Sequence, residues 1–251
     1  MRILMKNRNI RFLFFVLLFL TLALIACGKS PEQQNPNDHK VVNFEPEYVL
    51  LRRDDMVANA DIILLGEVKH ISPTQWNQDS GEYWEEVTED GVSDKGEMLT
   101  TSFAAWPVLR VQLKVLQILV DEVGIGNELT LTVLGKGPQD PPDMVFVDGI
   151  TLQASTPYSL NIGYQIVVFA IQTEMAWRDP SQPIQLLTNT DGSTYFDIGK
   201  RTIFDFIGAP AISFLIAGEN ALYYSTPEAT FQEEPVSLEQ LMLGVSEKRT
   251  S

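Results

Sequence analysis

The chain has one cysteine, Cys27, and two histidines, His39 and His70, in 251 residues. A lone cysteine has no partner for a disulfide and no companions for a thiolate metal site, and its place ahead of the expected body leaves that body without a cysteine nucleophile. His39 falls in a polar stretch and His70 at the end of an apolar one, so a histidine-based zinc site within the folded part is excluded. Basic residues are scarce too: 18 Lys and Arg stand against 33 Asp and Glu, a formal net charge of −15. Affinity for nucleic acid needs clustered Lys and Arg that neutralise phosphates, and a chain of this sign repels polyanions at long range. No nucleic-acid partner is expected. Long apolar runs are missing as well. The longest, FLFFVLLFLTLALIA at residues 12–26, has fifteen residues, short of the roughly 20 that a membrane-spanning helix needs.

What is present at the N-terminus has a different logic. Arg2, Lys6, Arg8 and Arg11 precede the apolar run without an acid among them, and Ala26 closes it. A basic region, an apolar region and a small-residue boundary are the parts of a secretory signal. Leu24-Ile25-Ala26-Cys27 resembles the lipobox of bacterial lipoproteins. The resemblance covers about the first 28 residues, with Ile25 where the family more often has a small residue. It implies that the Cys27 thiol carries a diacylglycerol, that residues 1–26 are removed before it, and that the new amine is often acylated. Burial of acyl chains gains about 0.8 kcal/mol per methylene, and stable anchoring takes at least two chains. The expected location is therefore the extracytoplasmic face of a bacterial membrane, inner or outer, with the membrane as a partner through the lipid.

Loss of residues 1–26 leaves 14 basic residues against 33 acidic ones, a net charge of −19. Residues 27–46 are rich in Pro, Asn and Gln and poor in large apolar groups, a composition that cannot offset the entropy of ordering and that predicts a flexible tether. Residues 47–251 form the expected single domain. A short helix is predicted near RRDDMVANA, with Asp54 as its cap. ADIILLGEVKHI predicts a strand bent at Gly66. In VLRVQLKVLQIL, Val111, Leu113 and Val115 alternate with Arg110, Gln112 and Lys114, the period of a strand with one buried face. DEVGIGN is a turn, and ELTLTVLG repeats the alternation. GYQIVVFAIQ predicts a central strand buried on both faces. PIQLL and TYFDIG predict a hairpin around Asp191-Gly192, and IFDFI and ALYYS predict further strands. Ser237 and Gln240 have the spacing of a capping box at the start of a last helix, SLEQLMLGV.

Short strands, Gly and Asx turns and few helices predict a mainly β fold, a closed or nearly closed antiparallel barrel with short flanking helices. The order of ADIILLGEV, LRVQLKVLQIL, ELTLTVLG, NIGYQIVVFA and TDGSTYFDIGK is similar to the OB-like barrel of the netrin and metalloprotease-inhibitor modules, over about residues 58–200. Inhibitors of that fold begin with a zinc-binding cysteine. Here the one cysteine is the expected lipid site some 20 residues ahead of the domain, so inhibition does not carry over.

The candidate site is residues 72–97, SPTQWNQDSGEYWEEVTEDGVSDKGE, a connection long enough to be either functional or unstructured. Eight acids, Asp79, Glu82, Glu85, Glu86, Glu89, Asp90, Asp94 and Glu97, surround Trp76, Tyr83 and Trp84. Three readings stand: a partner-binding lip of aromatics for an envelope protein or glycan, a calcium-ordered loop lacking EF-hand spacing, or a solvated insertion whose tryptophans fold back on the barrel. His70 with Ser72 lacks an orienting acid and an oxyanion hole. GIGN is a turn with no helix after it to receive a phosphate, NTDGS is a hairpin turn, and GKGPQDPPD places Asp140 and Asp143 in an exposed loop. No catalytic residue, cofactor or metal is expected. The leading function is a non-enzymatic binding module. The alternatives are a hydrolase of envelope glycans using two opposed carboxylates about 5–10 Å apart, and a passive structural lipoprotein.

Overall fold

The computed structural model describes residues 40–44, 51–92, 98–141, 143–146, 149–154, 159–190, 192–208, 213–224 and 234–250. The expected signal, Cys27, His39 and the tether through residue 39 lie outside them. Val41–Ser251 forms one compact unit. In chain order its elements are β1 (Val41–Phe44), α1 (Arg53–Asn59), β2 (Ile62–Ile71), β3 (Gln75–Trp76), β4 (Glu85–Val92), β5 (Met98–Ala104), β6 (Pro107–Asp121), β7 (Glu128–Leu134), β8 (Asp143–Val145), β9 (Thr151–Ala154), β10 (Gln165–Ala176), β11 (Gln185–Thr188), β12 (Thr194–Asp197), β13 (Lys200–Phe206), β14 (Phe214–Ala217), β15 (Leu222–Tyr224) and α2 (Leu238–Thr250). The fold is mainly β, with two short helices among the described residues.

The main sheet runs β13-β7-β6-β2-β10-β14-β15, and β13 also pairs with β10. Hydrogen bonding therefore passes from β2 through β6, β7, β13 and β10 and returns to β2. Period-two patterning explains the pairing. Leu109, Val111 and Leu113 of β6 stand opposite Val133, Leu131 and Leu129 of β7, and all six are buried. β10 is buried on both faces: Ile166, Val168 and Ala170 join Leu64, Leu113, Leu131 and Phe206 in one core, while Val167 and Phe169 join Met56, Ile63, Leu215, Leu241 and Val245 in a second, under the helices. A third cluster holds Trp76, Trp84, Ala105 and Leu152, packed by Val42, Phe44, Phe103 and Phe146.

Three expectations change. Not every pairing is antiparallel: β13 meets β7 in parallel at Phe204 and Leu131, and β1 runs parallel to β9. Both parallel partners are separated by long stretches of chain, which is what a parallel neighbour requires. The tether does not extend to residue 46 as an unstructured segment, because Val41–Phe44 is a strand whose Val42 and Phe44 pack on the third cluster. Asp54 is not the cap of α1. Arg52 holds that position without a side-chain cap, and Asp54 and Asp55 lie in the first turn, where the helix dipole favours acids.

The bend at Gly66 coincides with slips in the β2–β6 register on either side of it. A Cβ there would stand 3.0 Å from Leu64 Cδ1 and 3.3 Å from the Lys114 carbonyl. The capping box of α2 is closed in both directions, with Gln240 N–H donating to Ser237 Oγ at 3.1 Å and Ser237 N–H to Gln240 Oε1 at 2.8 Å. Arg249, in the last turn of α2, donates to the Val57 carbonyl at 3.2 Å and also to the Ala60 carbonyl and Glu122. α2 is thereby fastened over the end of α1.

Asp205 sits on β13 opposite Ile171 of β10. Burial pushes its carboxyl up to about 7, against the opposing effect of the Phe206 N–H bond, which is 2.7 Å long. An ordinary aspartate titrates near 3.9, so between those values the folded state holds a proton that the unfolded chain has lost. Stability from this residue therefore falls as pH rises through that window and levels off above it. Asp205→Asn keeps the acceptor for Phe206 and carries no charge. Its stability gain over the wild type in urea denaturation is expected to be absent at about pH 4. At about pH 8 the gain is expected to reach up to about 4 kcal/mol, since each pH step across that window is worth about 1.4 kcal/mol. An equal gain at both pH values would show that the carboxyl ionises as freely in the fold as outside it.

Candidate functional site

The aromatics expected to form a binding lip are turned inward. Trp76 on β3 is fully buried, edge-on to Tyr83 at 5.0 Å between ring centres and 4.7 Å from Phe146. Its Nε1 has no hydrogen-bond partner among the described residues. Trp84 is buried too and donates its Nε1 proton to Asn77 Oδ1 at 3.2 Å. Tyr83 is half-buried, its hydroxyl donating to Glu85 at 3.3 Å. The segment is not an open lip because β4 and β5 pair with each other from Glu85–Ala104 to Val92–Met98, and the tryptophans before the hairpin fall onto the third core. Among the described residues no group of three His, Cys, Asp or Glu is placed to hold a metal. The side chains of Glu89, Asp90, Asp94 and Glu97 lie outside the described residues.

Other sequence candidates resolve into structural roles. His70 is exposed, and the Ser72 hydroxyl accepts the Arg110 N–H at 2.9 Å and donates to the Pro73 carbonyl. Asp140 is not solvent-facing as expected: its Oδ2 accepts from Thr74 Oγ1 at 2.5 Å, Thr74 N–H at 3.3 Å and Gly137 N–H at 3.1 Å, joining two loops. Gly137 allows the approach, since a Cβ there would lie 2.8 Å from that oxygen. Asp143 is exposed. In the GIGN turn the Asp121 carboxylate accepts the N–H groups of Val123, Gly124 and Ile125, so the nest already holds an anion. In NTDGS, Asn189 N–H donates to the Ser193 carbonyl at 2.7 Å and closes the hairpin.

The segment does contribute Asn77 and Asp79 to the junction at the end of β10. Asn77 is fully buried. Its Nδ2 donates to the Ala176 carbonyl at 3.1 Å, and its Oδ1 accepts the Trp106 N–H at 2.7 Å as well as Trp84 Nε1. Its backbone carbonyl accepts the Arg178 N–H at 2.9 Å. One amide thus holds the β3–β4 connection against the end of β10.

A cleft of ≈ 380 Å³ opens at that junction, lined by Asp79 and by residues of the β10–β13 excursion from Trp177 to Arg201. Its floor is a closed set of contacts. Trp177 is buried and donates from Nε1 to Asp79 Oδ1 at 3.1 Å. The Arg201 guanidinium lies 4.3 Å over the Trp177 ring and donates to the same Asp79 oxygen. Arg110 approaches the ring at 5.9 Å. Arg178, also buried, donates from Nε and Nη2 to Glu86 Oε1 at 2.7 and 2.6 Å, and from Nη1 to the carbonyls of Gln182, at 2.6 Å, and Asp179. A buried cation with every nitrogen engaged escapes the penalty of an unpaired one. The Ser181 hydroxyl and N–H hold the Asp179 carboxyl below its ordinary range, helped by the Arg178 charge. Gly199 has φ +95, and a Cβ on it would stand 2.6 Å from the Trp177 carbonyl, so glycine lets β13 start beside the end of β10. Nothing in the sequence marks these residues as a group, because Asp79, Trp177 and Arg201 meet only through the fold.

Among the described residues the arrangement supplies fixed donors and acceptors around the cleft. The carboxyl that burial raises, Asp205, does not line the cleft, and Asp179, which does, is lowered.

Asn77→Ala is expected to leave the Trp84 and Trp106 donors and the Ala176 acceptor unpaired in the interior. Loss of about 2–4 kcal/mol in urea denaturation follows from one buried and two part-buried bonds with their desolvation. A loss below about 1 kcal/mol, no more than one ordinary bond contributes, would show that the junction does not depend on this amide.

Comparison with protein families, curated proteins and solved structures finds nothing that matches this chain.

Proposed function

We propose that this protein is a lipid-anchored binding module of the bacterial cell envelope, built on an OB-like barrel whose ligand seat is the cleft around Trp177. The barrel reading rests on the pairings β2–β6–β7–β13–β10–β2, closed by the parallel contact of β7 with β13. If these strands are counted one to five as β2, β6, β7, β10 and β13, the cleft lies where the first-to-second and fourth-to-fifth connections meet. In OB-folds those two connections hold ligands. The observation that carries the functional reading is the cleft itself, with its bonded floor and convergent polar groups. Its volume is that of a small-ligand seat, and its lining is more polar than most such seats.

Anchoring rests on the lipobox-like Leu24–Cys27 and the basic and apolar regions before it. No described helix is long and apolar enough to cross a membrane. From Cys27 to the start of β1 is 14 residues, a reach of about 46 Å at ~3.3 Å per residue. Cys27→Ser is expected to retain residues 1–26 and to lose lipid labelling and membrane fractionation. Normal processing and fractionation of that variant would end the anchor reading. For the cleft, a photo-crosslinking side chain at Gln182 is expected to capture an envelope component that the same group at Tyr223, outside the cleft, does not. Equal capture at both positions, or at neither, removes the cleft as the seat.

A further inference from the structure

The charges that line the cleft do not follow those of the whole molecule. Beyond residue 26 the chain carries −19, yet the lining sets Asp79, Asp179 and Asp197 against Arg178, Lys200 and Arg201. Balanced in this way, the lining adds no net charge of its own and confronts an ion of either sign with like charge at close range. What remains is hydrogen-bonding capacity in both senses. Asp79 is three-quarters exposed, and its floor bonds engage Oδ1 and leave Oδ2. Asp197 likewise uses Oδ1 for the Gly199 N–H. Lys200 contacts Glu174 at 3.4 Å with both side chains more than half exposed, a pair too weak to withhold the amine. The side chains of Gln182 and Gln185 are exposed, adding amides that both donate and accept.

A pyranose matches that inventory. Each of its neighbouring hydroxyls is donor and acceptor at once, so it is satisfied by a carboxylate on one side and a guanidinium, amine or amide on the other. Arg201 is held over the Trp177 ring and braced by Asp79, so its planar fork is presented at little further cost in entropy. Pro180 and Pro183 also line the cleft and supply apolar surface without donors for the C–H face of a sugar ring. We infer that the cleft takes an uncharged, hydroxyl-rich sugar unit of a glycan, an inference that rests on the cleft being the ligand seat.

The test uses three sugars sharing one ring: glucose, glucuronic acid and glucosamine, with chitotriose as a longer neutral probe. Each is titrated to about 50 mM, beyond the millimolar Kd that a small ligand held by a few hydrogen bonds attains. The readout is the Trp177 indole N–H resonance, assigned with Trp177→Phe. Expected are saturable displacements of that resonance with glucose and chitotriose, no tighter binding of either charged sugar, and little dependence on salt. Because Asp79→Asn and Arg201→Gln touch the floor and risk disturbing it, the deciding variant is Gln182→Ala with Gln185→Ala, two exposed side chains. It is expected to weaken the neutral sugars at least tenfold with an unchanged Tm. A charged sugar that binds ten times tighter than glucose overturns the inference, as does an unaltered affinity in the glutamine variant. An unmoved resonance with every probe also overturns it, and in that case capture at Gln182 tells whether the cleft still seats a partner of another kind.

Discussion

Burial of β10 on both faces is the constraint on which the other elements depend. Residues Ile166 to Ala170 are all buried, with alternate side chains in two separate cores. Each large apolar side chain removed from water contributes on the order of 1.5–3 kcal/mol, and this strand contributes to both interiors at once. Its edges are used unequally. β2 runs along one side from Gln165 to Ala170, while the other side is shared, with β14 opposite Ile166–Val168 and β13 taking over from Ala170 to Ala176. That exchange of neighbours lets one strand both complete the loop of pairings through β13 and extend the sheet to β15. The second half of β10 is consequently held by β13 without β2, and it leads directly into Trp177 and Arg178.

The cleft inherits its rigidity from that end. An overhanging strand pair would fray unless something else bound it, and here the binding elements are polar. Asn77 fixes Ala176 and Arg178 to the β3–β4 connection, and Arg178 fixes the following loop to Glu86 on β4. Neutral bonds each contribute about 1 kcal/mol net, but removal of one partner from a buried pair costs considerably more. The same groups that hold the junction together therefore make its geometry specific. Polar groups inside a protein are costly unless satisfied, and nearly all those at the junction are satisfied by one another. Trp76 Nε1 is the exception among the described buried side-chain atoms.

The strands were legible where one face or both faces had to be apolar. Alternation in Val111–Val115 and Leu129–Val133, the unbroken Ile166–Ala170, the bend at Gly66 and the Ser237–Gln240 box are local signals that tertiary structure did not override. The β4–β5 hairpin was not legible, because Glu85–Val92 carries acids on both sides of the alternation and its pairing partner has no distinct period. Trp76 and Trp84 were ambiguous for a related reason: an aromatic among acids reads the same whether it is displayed or folded inward, and the deciding group, Asn77, gives no sequence signal. β1 was hidden by the prolines and amides on either side of it, since a four-residue strand, VVNF, with two inward side chains does not alter the composition of a tether. The cleft was unreadable outright. Asp79 and Arg201 lie 122 positions apart, and only the pairing of β13 with β10 brings them together.

The third cluster connects these local facts. Val42 and Phe44 of β1 pack into it beside Trp84, which is bonded to Asn77, and beside Ile198, which precedes the Gly199 that shapes the cleft. The chain arriving from the N-terminal side therefore joins the body at the cluster that supports the cleft, not at a remote corner. Four residues of parallel pairing are a modest attachment, and parallel pairs are slightly less stable per residue than antiparallel ones. The attachment gains from Phe44 and Val42 because their burial is shared with the aromatic rings around Trp76.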